Sequence, residues 1–316
     1  MQDHLKHLKS ATDLVTTSEA TRAGFVALAL EKNRKAAPLI AEARALKSAV
    51  QPLKRPVELV NQPALRDALL TAAGVSDKSS RYFRGEGGTL AIREFIQNFL
   101  EPVGADWREE LVHRFLLTRG DSLGGAMRNA TGVLAQRNVV RALIAQLSLE
   151  KIPYWWQRKQ NDWQAGDALA DAELDASALT WIKNNAPRTL IFNLDVPVVL
   201  KNVDLVLVAA DARHYSNFRI ALGSPEKYLA LGELKGGVDP AGADEHWKTA
   251  RTSLSRIRDA FKAKNLTPAT FFLGYAIVPD MASEIWTQLQ NETLANVANI
   301  SNGEQLTVFV RWLVSL

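Results

Sequence analysis

Residues 228–278 constrain this chain more than any other stretch. YLALGELK is a short apolar run that favours strand. In DEHWKTARTSLSRIRDAFKAK, Trp247, Ala250, Leu254, Ile257 and Phe261 recur at helical spacing, and TFFLGYAIV, after Pro268, reads as a buried strand. A strand, a helix of that length and another apolar strand make a crossover unit, which returns parallel and right-handed. TLIFNLDVPVV and NVDLVLVAA precede it, bounded by Pro, Asn and Gly, and helical patterns near 281–295 and 303–314 follow. The second half is therefore expected to be a mixed sheet with helices, in the approximate order α-β-β-β-α-β-α.

The first half reads as helical. TSEATRAGFVALALEKNRKAAPLIAEARALKSA consists of helix formers, with Thr17 or Ser18 as N-cap and Pro38 as a break. Pro52, Pro56 and Pro63 mark an irregular connection. Shorter helical patterns follow near 64–73, 89–100, 106–117 and 137–149, the third ending at TRGDSLGG. RGEGG and SLGG lack the strand-before, helix-after context of a nucleotide fold and read as turns. The fold class is α/β, with a mainly helical region over 1–150 and a mixed-sheet core over 151–316. A chain of 316 residues that is 47% hydrophobic and 23% charged can bury a substantial core, which excludes a disordered protein.

The net charge is +4, and five acids between Asn161 and Ala186 face Lys183 alone, so the remainder carries +8. Such a basic body permits an anionic partner. With no cysteine, disulfides, thiolate catalysis and cysteine-ligated metals are excluded. No apolar run approaches a membrane span and no export signal is recognisable, which points to a cytoplasmic protein with no membrane partner. The histidines show no HExxH spacing, and there is no Walker A loop.

The sheet half carries a better constellation. Asp204 sits within the apolar NVDLVLV, where a carboxylate is unexpected unless it faces water at an edge. The next strand ends in Glu233-Leu234-Lys235, where Glu233 and Lys235 share a face and Leu234 takes the other. Asp204 on the adjoining strand can meet them. Two carboxylates form a hard oxygen site for Mg²⁺, and a nearby ammonium can polarise a water and offset phosphate charge. This is the D…(D/E)xK arrangement of metal-dependent phosphodiesterases. ELK is the one (D/E)xK tripeptide in the chain, and roughly one or two would arise by chance. Its position before Gly236-Gly237, a helix and a buried strand weighs more than its existence. Ordinary surface ion pairs are the competing reading.

GELKGGVDPAGADEHWKTA (232–250) resembles the active-site region of the AvaI/BsoBI family of type II restriction endonucleases. The resemblance extends to VPVVLKNVDLVL (196–207), RFLLTRGDSLGGAMRN (114–129) and HLKSATDLVTTSEATRAGFVALALEKNR (7–34), and so covers nearly the whole chain. It implies a restriction-endonuclease-like αβββαβ core with an additional helical domain that acts as a DNA clasp. It implies metal ligands Asp204 and Glu233, catalytic Lys235, and His246 as an additional catalytic group. It also implies a homodimer closed around duplex DNA, a C-Y-C-G-R-G site cut after the first C, and a cognate DNA methyltransferase as functional partner in a prokaryotic cytoplasm. The Leu234 carbonyl is the expected third metal ligand, and Mg²⁺ the expected cofactor.

Several residues are candidates for DNA contact. Arg119 and Arg128 flank DSLGGAM, where glycines let a backbone approach a phosphate, although a solvated loop explains them equally. Lys78, Arg81 and Arg84 project around a short helix that Ser76 can cap; the family likeness makes Lys78 a base-contact candidate. One donor to purine N7 accepts A and G alike, which suits a degenerate position. Asp239 could accept from cytosine N4, or form a turn before Pro240. Lys201 could donate to guanine, or end a strand. Tyr154, Trp155 and Trp156 read as packing rather than base stacking. His246 lies near the start of its helix, and the GGVDPAGAD loop lets it reach a water near Lys235, although it could instead bond Asp244 or Glu245. A structure- or damage-directed DNA repair nuclease and a non-catalytic DNA-binding module with the same fold are the alternatives to a restriction enzyme.

Overall fold

The computed structural model describes residues 5–76, 78–127, 129–158, 162–166 and 174–316. They form two compact units, Ala27–Ala130 and the residues up to Val26 together with Thr131–Leu316. Arg128 and three of the acids between Asn161 and Ala186 lie outside the described residues.

In the helical unit, the later part of α1 (Ser18–Val50) joins α2 (Arg66–Ala72), α3 (Glu86–Phe95) and α4 (Trp107–Met127). Its core holds Leu46, Leu59, Phe95, Trp107, Leu111 and Phe115. The stripe of Trp107, Leu111 and Phe115 is buried as its spacing predicts.

The other unit is built on a sheet. Its strands are β1 (Tyr154–Gln157), β2 (Gln164–Ala165), β3 (Ala178–Lys183), β4 (Ala186–Val196), β5 (Lys201–Val208), β6 (Tyr228–Lys235), β7 (Ala269–Gly274) and β8 (Asn296–Asn299). Among the described residues they form one mixed sheet in the order β2-β1-β3-β4-β5-β6-β7-β8. Pairing is antiparallel from β2 through β6 and parallel from β6 to β8. The helices of this unit are α5 (Ala130–Leu149), α6 (Tyr215–Gly223), α7 (Ala243–Lys262), α8 (Pro279–Gln290) and α9 (Gly303–Ser315).

Strand alternation divides the core into two layers. On β5, Leu205 and Leu207 face a cluster lined by α5 and α9, while Val206 and Val208 face one lined by α7 and α8. Trp247, Ala250, Leu254, Ile257 and Phe261 of α7 are all buried, as the helical spacing predicts. Trp247 meets Phe272 of β7 edge-on at 5.1 Å between ring centroids. Burial of each large side chain contributes about 1.5–3 kcal/mol before entropy is counted, so α7 is firmly seated on β6 and β7. These two strands pair in parallel, Gly232 beside Phe271 and Lys235 beside Gly274. That is the crossover expected from residues 228–278.

Elsewhere the structure departs from the sequence reading. Pro38 does not break α1, which runs for 33 residues through it. Pro38 is exposed, where the carbonyl deprived of an N–H partner can be hydrated. The cap is Thr17, whose Oγ1 accepts the Ala20 N–H at 3.1 Å. The SLGG segment is not a turn: α4 continues to Met127, and Gly120, Gly124 and Gly125 cost helix propensity without breaking it. In RGEGG, Gly85 does adopt a positive φ of 66°, but Gly87 and Gly88 already belong to the first turn of α3. The helical pattern near 281–295 ends at Gln290, and the short strand β8 follows. β1, β2, β3 and α6 extend the expected order. Tyr154 and Trp156 are buried in the α5–α9 layer, and the Arg213 guanidinium lies 3.5 Å from the ring centroid of Trp155. No helix of the described residues is long and apolar enough to cross a membrane.

Candidate active site

β5 and β6 lie inside the sheet, and their register sets the site. Leu205 pairs with Gly232, so the next residues outward, Asp204 and Glu233, meet across the two strands. Lys235 projects from the same face as Glu233. Its Nζ lies 2.9 Å from Asp204 Oδ2 and 2.7 Å from Glu233 Oε2. The same Asp204 oxygen accepts the Leu234 N–H at 2.9 Å. The other Glu233 oxygen, Oε1, accepts the Ser253 hydroxyl of α7 at 2.6 Å.

Exposure orients the site. The Glu233 side chain is 4% exposed, against 20% for Lys235 and 26% for Asp204, so the centre opens on the Asp204 side. There it joins an open groove of about 510 Å³ whose walls include Asn202, Asp204, Thr252, Ser253 and Arg256. Burial and the Asp204 charge push the Glu233 carboxyl above the usual carboxylate range, against the opposing pull of Lys235 and Ser253. Burial alone would lower the Lys235 ammonium; the Glu233 and Asp204 carboxylates outweigh it and hold the ammonium above its ordinary value. With the three groups ionised, one positive and two negative charges leave a deficit of one cation.

The donor set suits a divalent ion. Two carboxylates on one face are hard oxygen ligands. Among the described residues no group of three or more His, Asp or Glu is arranged to hold a metal ion, so further ligands must come from the main chain, water or substrate.

Beyond β6 the chain runs on beside the segment that follows β7. The Lys235 carbonyl accepts the Tyr275 N–H at 2.9 Å and the Gly237 carbonyl accepts the Ala276 N–H at 3.2 Å. A Cβ on Gly237 would stand 2.6 Å from His246 Nε2, so a side chain there would displace the imidazole. His246 is exposed and its imidazole is packed against the residue two beyond Lys235. Asp244 and Glu245 instead pair with Lys248, at 2.6 and 3.1 Å, rather than with His246.

Asp239 caps the single turn before α7, its Oδ1 accepting the Ala241 N–H at 3.0 Å, and stays exposed. Lys201 is exposed at the start of β5. In the helical unit, Lys78 is exposed in a turn, and the Arg81 guanidinium lies 4.9 Å from the Tyr82 ring centroid. Arg119, on α4, is 3.4 Å from Glu42 and stacks over Phe115. Ser253 and Arg256 escaped the sequence reading. The available signal was periodicity: Ser253 stands three residues after Ala250 and one before Leu254, a hydroxyl on the border of an apolar stripe.

A mixed sheet that presents two carboxylates and a lysine from adjoining inner strands, flanked by helices, defines a restriction-endonuclease-like nuclease. A family model for restriction endonuclease BsobI matches residues 4–316. The chain is 47% identical over 316 residues to the type II restriction enzyme BsoBI of Geobacillus stearothermophilus, covering 98% of this chain and 97% of that one. It is also 47% identical over 312 residues to the type II restriction enzyme AvaI of Nostoc sp., with 98% of each chain covered. The chain belongs to this family of type II restriction endonucleases, site-specific deoxyribonucleases and therefore hydrolases.

The charge arrangement has a measurable consequence. Lys235→Met removes the cation from two adjacent carboxylates and should destabilise the metal-free protein by about 1–3 kcal/mol in urea titrations at neutral pH. The Glu233 carboxyl is raised in the folded state, so the folded chain holds more protons than the unfolded one and stability falls as pH rises through that range. The deficit of Lys235→Met should therefore grow with rising pH and shrink toward acid. An unchanged or greater stability at neutral pH would show that Lys235 does not neutralise the pair.

Proposed function

We propose that the protein cleaves both strands of duplex DNA at C-Y-C-G-R-G, after the first C, in a Mg²⁺-dependent reaction that leaves 5′-phosphates. The observation that carries this is the Asp204–Glu233–Lys235 cluster on the inner strands of a family member's sheet. Type II restriction endonucleases generally use a divalent metal. Asp204, Glu233 and the Leu234 carbonyl are the groups that would hold it here. When bound, Mg²⁺ supplies charge neutralisation at the scissile phosphate and favours ionisation of water.

The protein's own groups do the rest. The Leu234 N–H and Lys235 ammonium orient Asp204. Lys235 offsets charge beside the phosphate and assists the attacking water. His246, against Gly237, accepts a proton from that water. The helical region within residues 1–150 serves as the DNA clasp and residues 151–316 as the nuclease core. Lys78 donates to the purine N7 of the degenerate position, Asp239 accepts from cytosine N4, and Lys201 donates to guanine. Arg119 and Arg128 contact the backbone, and Arg81 is a further DNA contact. A palindromic site is read by a two-fold homodimer, one half-site per subunit. A cognate methyltransferase protects the host's own sites, and both enzymes work in a bacterial cytoplasm.

Plasmid digestion with Mg²⁺, read by run-off sequencing, tests this directly. Breaks confined to C-Y-C-G-R-G after the first C are expected; random nicking, or preference for branched DNA, would overturn the reading. For the proton acceptor, His246→Ala should lower the single-turnover rate by roughly 10²–10⁴-fold with DNA affinity nearly unchanged. Normal single-turnover cleavage by that variant would leave Lys235 as the sole proton-handling group.

A further inference from the structure

Glu233 is the most buried charged group of the site, and each of its oxygens has its own partner: Oε2 faces Lys235, and Oε1 accepts the Ser253 hydroxyl at 2.6 Å. Ser253 comes from α7, a separate element seated by the buried Trp247, Ala250, Leu254, Ile257 and Phe261. Its neighbours behave differently. The Thr249 and Thr252 hydroxyls donate to the helix carbonyls of Glu245 and Lys248 at 2.9 Å each. This is the ordinary arrangement for a hydroxyl within a helix. Ser253 instead gives its one proton to a carboxylate on the sheet. Nothing in the packing asks for a hydroxyl at the edge of an apolar stripe, where alanine would serve.

We infer that Ser253 is a positioning residue for Glu233, fixing the plane of the carboxylate so that Oε2 is presented to a divalent cation; this rests on the reading of Glu233 as a metal-holding group. A strand glutamate has three rotatable side-chain bonds, and a hydrogen bond at the far oxygen removes the rotations that would turn Oε2 away. Groups behind metal ligands act in this way, and their loss typically costs 10–100-fold in metal affinity or activity. The serine proton is committed to Glu233, so Ser253 neither attacks nor donates to the phosphate.

The test compares Ser253→Ala and Ser253→Thr with the wild-type protein in two titrations. One follows the Mg²⁺ concentration for half-maximal single-turnover cleavage; the other follows the Ca²⁺ concentration that half-maximally enhances binding of a labelled C-Y-C-G-R-G duplex. In Ser253→Ala both midpoints should rise roughly ten- to a hundredfold, with the thermal midpoint of the metal-free protein little changed. Ser253→Thr, which keeps the hydroxyl, should restore both midpoints. A purely structural serine would lower thermal stability and leave the metal midpoints where they are, and that result overturns the inference. Should Ser253→Ala not fold, Ser253→Cys, with its weaker donor, is read against the same midpoints. Glu233→Gln separates the two levels of the argument. If it is inactive while Ser253→Ala is unshifted, only the role of Ser253 falls; if it cuts with wild-type Mg²⁺ dependence, the reading of Glu233 falls and the inference with it.

Discussion

One ammonium shared by two carboxylates holds together the polar centre of the sheet unit. Asp204 and Glu233 are brought side by side by the register of β5 and β6, where their like charges repel. Lys235, two residues along the same strand face, is the least elaborate way to neutralise them. The main-chain N–H of Leu234 and the hydroxyl of Ser253 satisfy further lone pairs. What remains is a half-open centre one positive charge short. Such a centre attracts a divalent cation and, without one, repels the phosphate backbone of DNA.

The crossover unit makes this arrangement affordable in structural terms. β6 carries Glu233 and Lys235, the chain runs on beside β7 through Gly236 and Gly237, and α7 returns across the face with Ser253 aimed back at the sheet. The apolar stripe of α7 anchors it to the layer formed with Phe272 and Leu231. The polar site therefore sits on rigid elements. The family likeness, 47% identity along nearly the full chain, says which class of enzyme this is; the cluster is where we propose that its chemistry is carried.

Much of that was legible in the sequence because it is written in periodicity. The i,i+2 spacing of Glu233 and Lys235 on a strand, and the i,i+3/i+4 stripe from Trp247 to Phe261, need no knowledge of the partner to be read. Features that depend on what an element packs against were not legible. Asn296–Asn299 falls between the helical patterns near 281–295 and 303–314, where no element is expected, yet all four residues are buried as β8, Asn299 Nδ2 donating to the Leu14 carbonyl and to Thr16 Oγ1 at 2.9 Å each. Pro38 and the glycines at 120, 124 and 125 read as breaks, yet the helices run through them. Ser253 resembles any other serine of an exposed helix until the sheet is placed beneath it. The D…ExK pattern could be seen, and the long GELKGGVDPAGADEHWKTA segment gave it a family; its geometry had to wait for the register of two strands.

The central claim is that the Asp204 carboxylate belongs to a metal-holding charge centre rather than to a structural ion pair. The most direct test is Asp204→Asn, measured for single-turnover cleavage of a C-Y-C-G-R-G duplex with Mg²⁺ and, in parallel, for binding of the same duplex in metal-free buffer. The expected result is loss of cleavage with binding retained or tightened, because a negative charge facing the polyanion has been removed. Cleavage at the wild-type rate with unchanged dependence on Mg²⁺ would contradict it.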